Sequence, residues 1–168
     1  MEQKFTAAKA RQVVRRTSSN SIFVRGATAV AIGEFDRTLG LGTPNGSGED
    51  TDYAMRALLT ARKAVFVDLP MVGHRESDVA SVAKYYKGAL LVLGRYALRR
   101  PEFLFEYVRK LAVGAYLVLR SRLSLREYLV AIGNGLSELF ASARPDRKSQ
   151  ALPAVAASQS HALGRHPG

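Results

Sequence analysis

The feature that most constrains the fold is a change in the pattern of the sequence at Asp78. After this residue, apolar residues recur at helical spacing over three long segments, at 81–100, 102–120 and 124–140. Pro101 suits the first turn of the second helix, where its missing N–H costs little. Ser124 followed by Glu127 is a capping-box pattern that opens the third helix. The second half of the chain is therefore predicted to be helical.

Before Asp78 the sequence predicts strands as well as helices. Residues 21–24 and 64–69 are short apolar runs typical of strands, and Pro70 ends the second run. Between the two runs the sequence predicts a short helix, a glycine-rich loop and a longer helix, at 26–32, 39–48 and 53–63. This alternation predicts the last part of an α/β domain, with few strands and two or three helices.

The chain is strongly basic, with a net charge of +11 over 168 residues and an isoelectric point of about 10.3. Between Lys84 and Arg126, ten basic residues stand against two acidic ones, a local excess of +8. Such a balance favours an anionic partner, which can be nucleic acid, acidic lipid or a phosphorylated substrate. The absence of cysteine excludes a disulfide framework, a thiolate metal site and a cysteine nucleophile.

The basic helices are compatible with contact at an anionic membrane surface. On the second helix, one apolar stripe is formed by Leu104, Val108, Leu111, Ala115 and Val118. The basic residues expected to meet lipid headgroups are Lys84, Lys87, Arg95, Arg99, Arg109 and Lys110. Four tyrosines can lie at headgroup depth, Tyr85, Tyr86, Tyr96 and Tyr116. A soluble helical bundle with solvated charges explains the same pattern. Zinc-finger, RNP-like and homeodomain patterns are missing, which disfavours nucleic acid.

The longest uninterrupted apolar run, at 111–119, has nine residues, whereas a membrane-spanning helix needs about 20. The first residues are polar and basic, so we do not expect them to form a signal peptide. These features predict a cytoplasmic protein that lies at most peripherally on the inner face of the cell membrane.

Two acidic motifs are the strongest candidates for chemistry. Gly33-Glu34-Phe35-Asp36 forms the first, and after a loop Gly48-Glu49-Asp50-Thr51-Asp52 forms the second, with Arg56 one turn later. Three carboxylates within four residues repel one another unless a helix N-terminus compensates them. One interpretation is that these carboxylates only cap the helix.

The order and spacing of these motifs resemble the second half of family 2 glycosyltransferases. In that family a Gly-Gly-Phe-Asp-like turn precedes a Gly-Glu-Asp motif at the start of a helix, with an arginine one turn on. The resemblance covers residues 18–76 and includes the run Ser19-Asn20-Ser21-Ile22-Phe23-Val24-Arg25. It implies an inverting transferase of the GT-A type that uses a nucleotide-sugar donor, in polysaccharide or glycolipid synthesis. It implies a carbohydrate or lipid-linked acceptor as well.

The resemblance also implies roles for individual residues. Asp50 matches the catalytic base, which takes a proton from the acceptor hydroxyl as its oxygen attacks the anomeric carbon. Glu49, Asp52 and Arg56 are expected to shape the acceptor side of the site. His74 matches a position that in some relatives helps to hold a divalent cation, and imidazole is a suitable ligand for manganese-type ions. A histidine in a surface loop is the alternative interpretation.

The sequence departs from the family in one respect. The family's donor-binding strands and Asp-x-Asp motif, which carry the main ligands of a Mg²⁺ or Mn²⁺ ion, do not precede the Glu-Asp segment. We therefore expect only the C-terminal, acceptor-side portion of such an enzyme, inactive alone. The alternative is a non-catalytic basic module that binds a membrane surface or nucleic acid. The predicted organisation is a lead-in, the acceptor-side part, basic amphipathic helices and a disordered tail, at 1–17, 18–76, 77–141 and 142–168.

Overall fold

The computed structural model describes residues 5–16, 21–67 and 79–144. Within these ranges the chain forms six helices and one short antiparallel ribbon. The elements in order are β1 (Phe5–Ala7), α1 (Ala10–Arg16), α2 (Gly26–Ile32), α3 (Glu49–Thr60), β2 (Val65–Val67), α4 (Val79–Tyr96), α5 (Pro101–Leu119) and α6 (Leu125–Ala143). The strands β1 and β2 pair with each other, and Phe5 is opposite Val67.

The expectation of an α/β, GT-A-like fold is wrong for the described residues. The predicted strand at 21–24 does not form, and the side chain of Phe23 is 82% exposed. Of the predicted strand at 64–69, residues 65–67 form the three-residue strand β2, which pairs with the equally short β1, and residues 68 and 69 lie outside the described residues. A short apolar run becomes a buried strand only if a larger sheet receives it, and here helices form the core instead.

The three helices predicted after Asp78 are present, with slightly different bounds. Pro101 occupies the first turn of α5, as expected. Ser124 caps α6, and the reciprocal hydrogen bonds of the capping box with Glu127 are both made. The helix α4 ends at Tyr96 instead of continuing to residue 100. The sequence predicts a disordered tail from residue 142 onward, but α6 continues to Ala143. The part of the predicted tail from residue 145 onward lies outside the described residues.

Helix α4 is the centre of the core. Its buried hydrophobic side chains are Tyr86, Leu90, Leu91, Val92, Leu93 and Tyr96. Helices α3, α5 and α6 pack against it, and α1 packs against α3 and α5. The buried side chains of α3, including Met55 and Leu58, join the same cluster. The second helical half of the chain is thus the platform on which α3 and its preceding loop rest.

Two glycines allow close approach to α4. A Cβ on Gly94 would lie 2.1 Å from the carbonyl oxygen of Gly135, so α4 and α6 meet backbone to backbone. A Cβ on Gly88 would lie 2.2 Å from the Oγ of Ser47, which places the end of the glycine-rich loop directly on α4. Neither position can hold a larger residue without separation of the two backbones.

None of the helices in the described ranges has the length and apolar character required to cross a bilayer.

Candidate functional site

The N-terminus of α3 lies at the junction of the glycine-rich loop and α4. Gly48 precedes the helix with φ of 106°, a conformation that favours glycine. A Cβ at this position would also lie 3.0 Å from the carbonyl oxygen of Gly88. The first turn then carries Glu49, Asp50 and Asp52, where the free N–H groups and the helix dipole favour negative charge.

Hydrogen bonds to α4 hold the glycine-rich loop in place. The Oγ of Ser47 donates to the carbonyl oxygen of Lys84 at 2.8 Å, and the Nζ of Lys87 donates to the carbonyl oxygen of Pro44 at 2.7 Å. The carboxylate of Glu49 lies against Gly40, where an added Cβ would be 3.0 Å from its Cδ. The loop therefore covers the start of α3 from one side and is fixed to α4 on the other.

Asp52 is the most completely bound carboxylate of the site. It is 1% exposed. Its Oδ1 accepts hydrogen bonds from Tyr96 OH at 2.9 Å and from Arg95 Nη1 at 3.1 Å. Its Oδ2 accepts from Arg56 Nε at 2.9 Å. Both oxygens are engaged, so Asp52 joins α3 to α4 and is not available to a substrate. This contact also raises the pKa of Tyr96, because burial and the neighbouring carboxylate disfavour the phenolate.

Arg95 connects four parts of the chain. Besides Asp52 on α3, its Nη1 donates to Asp36 Oδ2 at 2.7 Å and its Nε donates to Glu138 Oε2 on α6 at 3.1 Å. Burial alone would lower the pKa of Arg95, but the hydrogen bonds to Asp36 and Glu138 and the charge of Asp52 raise it. The guanidinium therefore stays charged and links the turn at 33–36, α3, α4 and α6.

The turn at 33–36 is packed on α3 by stacking and charge. The rings of Phe35 and Tyr53 stack with centroids 4.3 Å apart, and the guanidinium of Arg56 lies over Tyr53 at 5.4 Å. Arg56 Nη1 also donates to the carbonyl oxygen of Ile32. Partial burial would raise the pKa of Asp36, but hydrogen bonds from Thr38 and from Arg95 lower it to about 2.

The structure thus brings the two acidic motifs together, but their residues have different surroundings. Asp36, Asp52 and Arg56 belong to one bonded network. Asp50 lies in the first turn of α3 and is half-buried, as is Glu49. Arg56 Nη2 is buried and lacks a hydrogen-bond partner among the described residues. His74 lies outside the described residues, which contain no group of His, Cys, Asp and Glu that could hold a metal ion.

The basic residues expected at a membrane surface are mostly engaged within the protein. Arg95 lies in the network, and Lys87 is bonded to the loop. Arg109 Nε donates to Glu106 at 2.7 Å. Lys110 lies over the ring of Tyr86 at 5.4 Å, and burial together with Arg109 lowers the pKa of Lys110. Lys84 is exposed and Arg99 is half-buried.

The apolar stripe predicted on α5 is divided between two faces of the helix. Leu104, Val108 and Ala115 face solvent. The buried face carries Phe103, Glu106, Tyr107 and Gly114. The apolar pattern did not reveal which face of α5 packs against α4, because apolar residues occupy most of the surface of this helix.

Sequence reasoning missed the second buried carboxylate, Glu106. It is 2% exposed and accepts hydrogen bonds from Arg15 at 2.7 Å and from Arg109 at 2.7 Å. Burial would raise the pKa of Glu106, but these two arginines lower it. The one available signal was an acid between Phe103 and Tyr107 on a largely apolar helix. The ion pair between Arg15 and Glu106 attaches α1 to α5.

Comparison with known proteins gave no family for this chain. Neither protein-family models, nor curated proteins, nor solved structures gave a match.

Proposed function

We propose that this chain supplies the acceptor side of an inverting glycosyl transfer, with Asp50 as the general base. The observation that carries the proposal is the meeting of the two acidic motifs at the start of α3. The turn at 33–36 is held there by the stack of Phe35 on Tyr53 and by the ion pair between Asp36 and Arg95.

In this proposal, two carboxylates of the same helical turn have different tasks. Asp52 is buried and saturated by Arg56, Arg95 and Tyr96, so it fixes the position of α3. Asp50 lies two residues earlier and is half-buried in the first turn. A general base needs a rigid support, which the bonds of Asp52 give to the first turn of α3, and the side chain of Asp50 is partly exposed there.

In the proposed reaction, a carboxylate oxygen of Asp50 accepts the proton of an acceptor hydroxyl. The hydroxyl oxygen forms a bond to the anomeric carbon of the donor sugar as the bond from that carbon to the nucleoside diphosphate breaks. Attack from the face opposite the leaving group inverts the anomeric configuration. The described residues offer no ligand set for the divalent cation that the resemblance implies, and no step here depends on it.

The proposal requires a donor-binding half that binds the nucleotide sugar. Transfer is therefore measured in the assembled enzyme, which contains both halves. That half can be supplied in the same polypeptide or as a separate chain. Transfer is measured from a panel of radiolabelled nucleoside-diphosphate sugars, with the chain intact or carrying Asp50→Asn. The amide keeps the shape but cannot accept the proton, so the turnover number is expected to fall by about 10²- to 10⁴-fold. The dissociation constant of the donor is expected to stay unchanged.

Glu34→Gln is the matched control, because it also neutralises one carboxylate of the two motifs. Glu34 is exposed and pairs with Arg37 at the surface. Normal transfer by Glu34→Gln and loss by Asp50→Asn would support the assignment. Normal transfer by Asp50→Asn would remove Asp50 as the base.

A further inference from the structure

The turn between α5 and α6 exposes large apolar side chains next to arginines. At the end of α5, Tyr116 and Leu119 face solvent, and Leu119 is 83% exposed. At the start of α6, Leu125 and Leu129 are exposed as well. We call residues 116–129 the hairpin tip.

The hairpin tip has an excess of positive charge. Its charged residues are Arg120, Arg122, Arg126 and Glu127, all exposed. The carboxylate of Glu127 accepts hydrogen bonds from the N–H of Ser124 at 3.0 Å and from its hydroxyl at 2.6 Å. The carboxylate is bonded within the helix cap but keeps its charge, so the tip carries three positive charges and one negative charge, a net charge of +2.

The backbone of the hairpin tip is well supported. Leu123 points inward and is buried. The N–H groups of Ser121 and Arg122 donate to the carbonyl oxygens of Val118 and Leu117, both at 2.9 Å. With the capping box at Ser124, these bonds hold the turn in one conformation. The exposed leucines are therefore presented by an ordered structure.

We propose that the hairpin tip docks on an anionic membrane surface. The arginines contact lipid phosphates, and the leucines and Tyr116 enter the boundary between headgroups and acyl chains, about 5–10 Å deep. This site differs from the lysines and arginines that the sequence first indicated, most of which have partners inside the protein. It is independent of the proposed glycosyl transfer.

The charge of the tip distinguishes a membrane from other partners. Docking of two copies through their tips would bring six arginines together with no acid other than the two cap residues, and like charges repel. Nucleic acid would neutralise the arginines but would leave the leucines exposed to water. An anionic bilayer satisfies both the charge and the apolar side chains.

The first experiment is co-sedimentation of the full chain with vesicles of phosphatidylcholine, with and without phosphatidylserine. Binding is expected to the anionic vesicles and to weaken with salt. Neutralisation of one arginine is expected to weaken binding about fivefold, so Arg120→Gln, Arg122→Gln and Arg126→Gln together reduce it about 100-fold. The matched control is Arg25→Gln, Arg62→Gln and Lys63→Gln, which removes three exposed basic residues elsewhere.

The second experiment measures insertion. The chain has no tryptophan, so Leu119→Trp creates a single reporter at an exposed position. Its emission is expected to shift to the blue with anionic vesicles and to be quenched by lipids brominated on their acyl chains. Circular dichroism of every variant checks that the helices are kept.

Four outcomes would overturn the proposal. The first is no binding to anionic vesicles at low salt, and the second is an equal loss of vesicle binding in the two triple variants. The third is an emission of the Leu119→Trp variant that vesicles leave unchanged. The fourth is self-association of the chain that the tip substitutions abolish. The last outcome would assign the tip to a second copy of this chain. Loss or retention of transfer in Asp50→Asn bears on none of these measurements.

Discussion

Charged and apolar side chains are placed in opposite ways in two regions of the protein. These regions are the contact between α3 and α4 and the hairpin between α5 and α6. In the first region, Asp52 is buried, Arg95 is partly buried, and the two side chains are bonded to one another. In the second, Leu119 and Leu129 lie outside and face solvent. Charged groups lose favourable hydration when they are buried, so the first arrangement costs free energy. Apolar side chains are unfavourable in water, so the second arrangement costs free energy as well.

The difference indicates which region the protein holds fixed and which it offers to a partner. A buried ion pair contributes little net stability over an apolar core, but removal of one partner is strongly destabilising, so the network specifies one position for α3. Exposed apolar side chains contribute nothing to the isolated fold. A contiguous group of them marks an interaction surface. The predictions that follow test this contrast, from the largest effect to the smallest.

Asp52→Asn is expected to destabilise the fold by about 3–5 kcal/mol, because the buried amide keeps one acceptor oxygen for the three donors Arg56, Arg95 and Tyr96 and loses the charge that pairs with the two arginines. The free energy of unfolding in urea measures this effect. Glu34→Gln, in the exposed pair with Arg37, is the control and should change little. Equal stability of the two variants would show that the network does not hold α3.

Gly94→Ala is expected to cost about 1–3 kcal/mol, because the new methyl group would collide with the backbone of Gly135 on α6. Gly133→Ala is the matched control, since a Cβ there meets nothing within 4 Å. Alanine at position 133 should be neutral or stabilising by up to about 1 kcal/mol from helix propensity. Thermal unfolding distinguishes the two variants, and an undiminished melting temperature for Gly94→Ala would refute the close crossing.

Acid is expected to weaken the network through Asp36. Its pKa is lowered from 3.8 to about 2 in the folded protein. The resulting stabilisation is present above the pKa of the unfolded chain and is lost as the pH falls from about 4 toward 2, to an extent on the order of 2 kcal/mol. Glu106, whose pKa is also lowered, adds a loss in the same direction.

The free energy of unfolding in urea is measured as a function of pH for the parent chain and for Asp36→Asn. The difference between the two curves gives the contribution of Asp36 to the loss of stability in acid. The variant should be less stable at neutral pH and should lose less stability in acid. Parallel curves for the two proteins would show that Asp36 does not contribute.

Leu129→Ala should change the free energy of unfolding by no more than about 0.5 kcal/mol, because this side chain is exposed on α6. A loss of 2 kcal/mol or more, on the scale of a core leucine, would show that the side chain is buried in the isolated protein. Urea unfolding is again the measurement.

The sequence was sufficient to predict the helices of the second half, because their signals are local. Proline at position 101 and the capping box at Ser124 act within one turn of the residues that they affect. The fold class was not predictable in this way. An apolar run of four residues such as 21–24 forms a strand or an exposed segment depending on whether a sheet lies beside it.

The candidate site was predictable in part. The sequence placed Glu49, Asp50 and Asp52 at the N-terminal end of a helix predicted over 53–63, and the observed helix begins earlier, at Glu49. The spacing could not show that Asp52 is the buried one, because its partner Arg95 lies 43 residues further along the chain. The same long-range contact explains why Arg95, predicted at a membrane surface, lies among three carboxylates.

The most direct test of the account is the transfer rate of Asp50→Asn in the assembled enzyme, with its free energy of unfolding measured on the same sample. We expect a rate at least about 100-fold lower, with a free energy of unfolding within about 1 kcal/mol of that of the parent protein. A normal transfer rate, or a loss of stability as large as that of Asp52→Asn, would contradict the account.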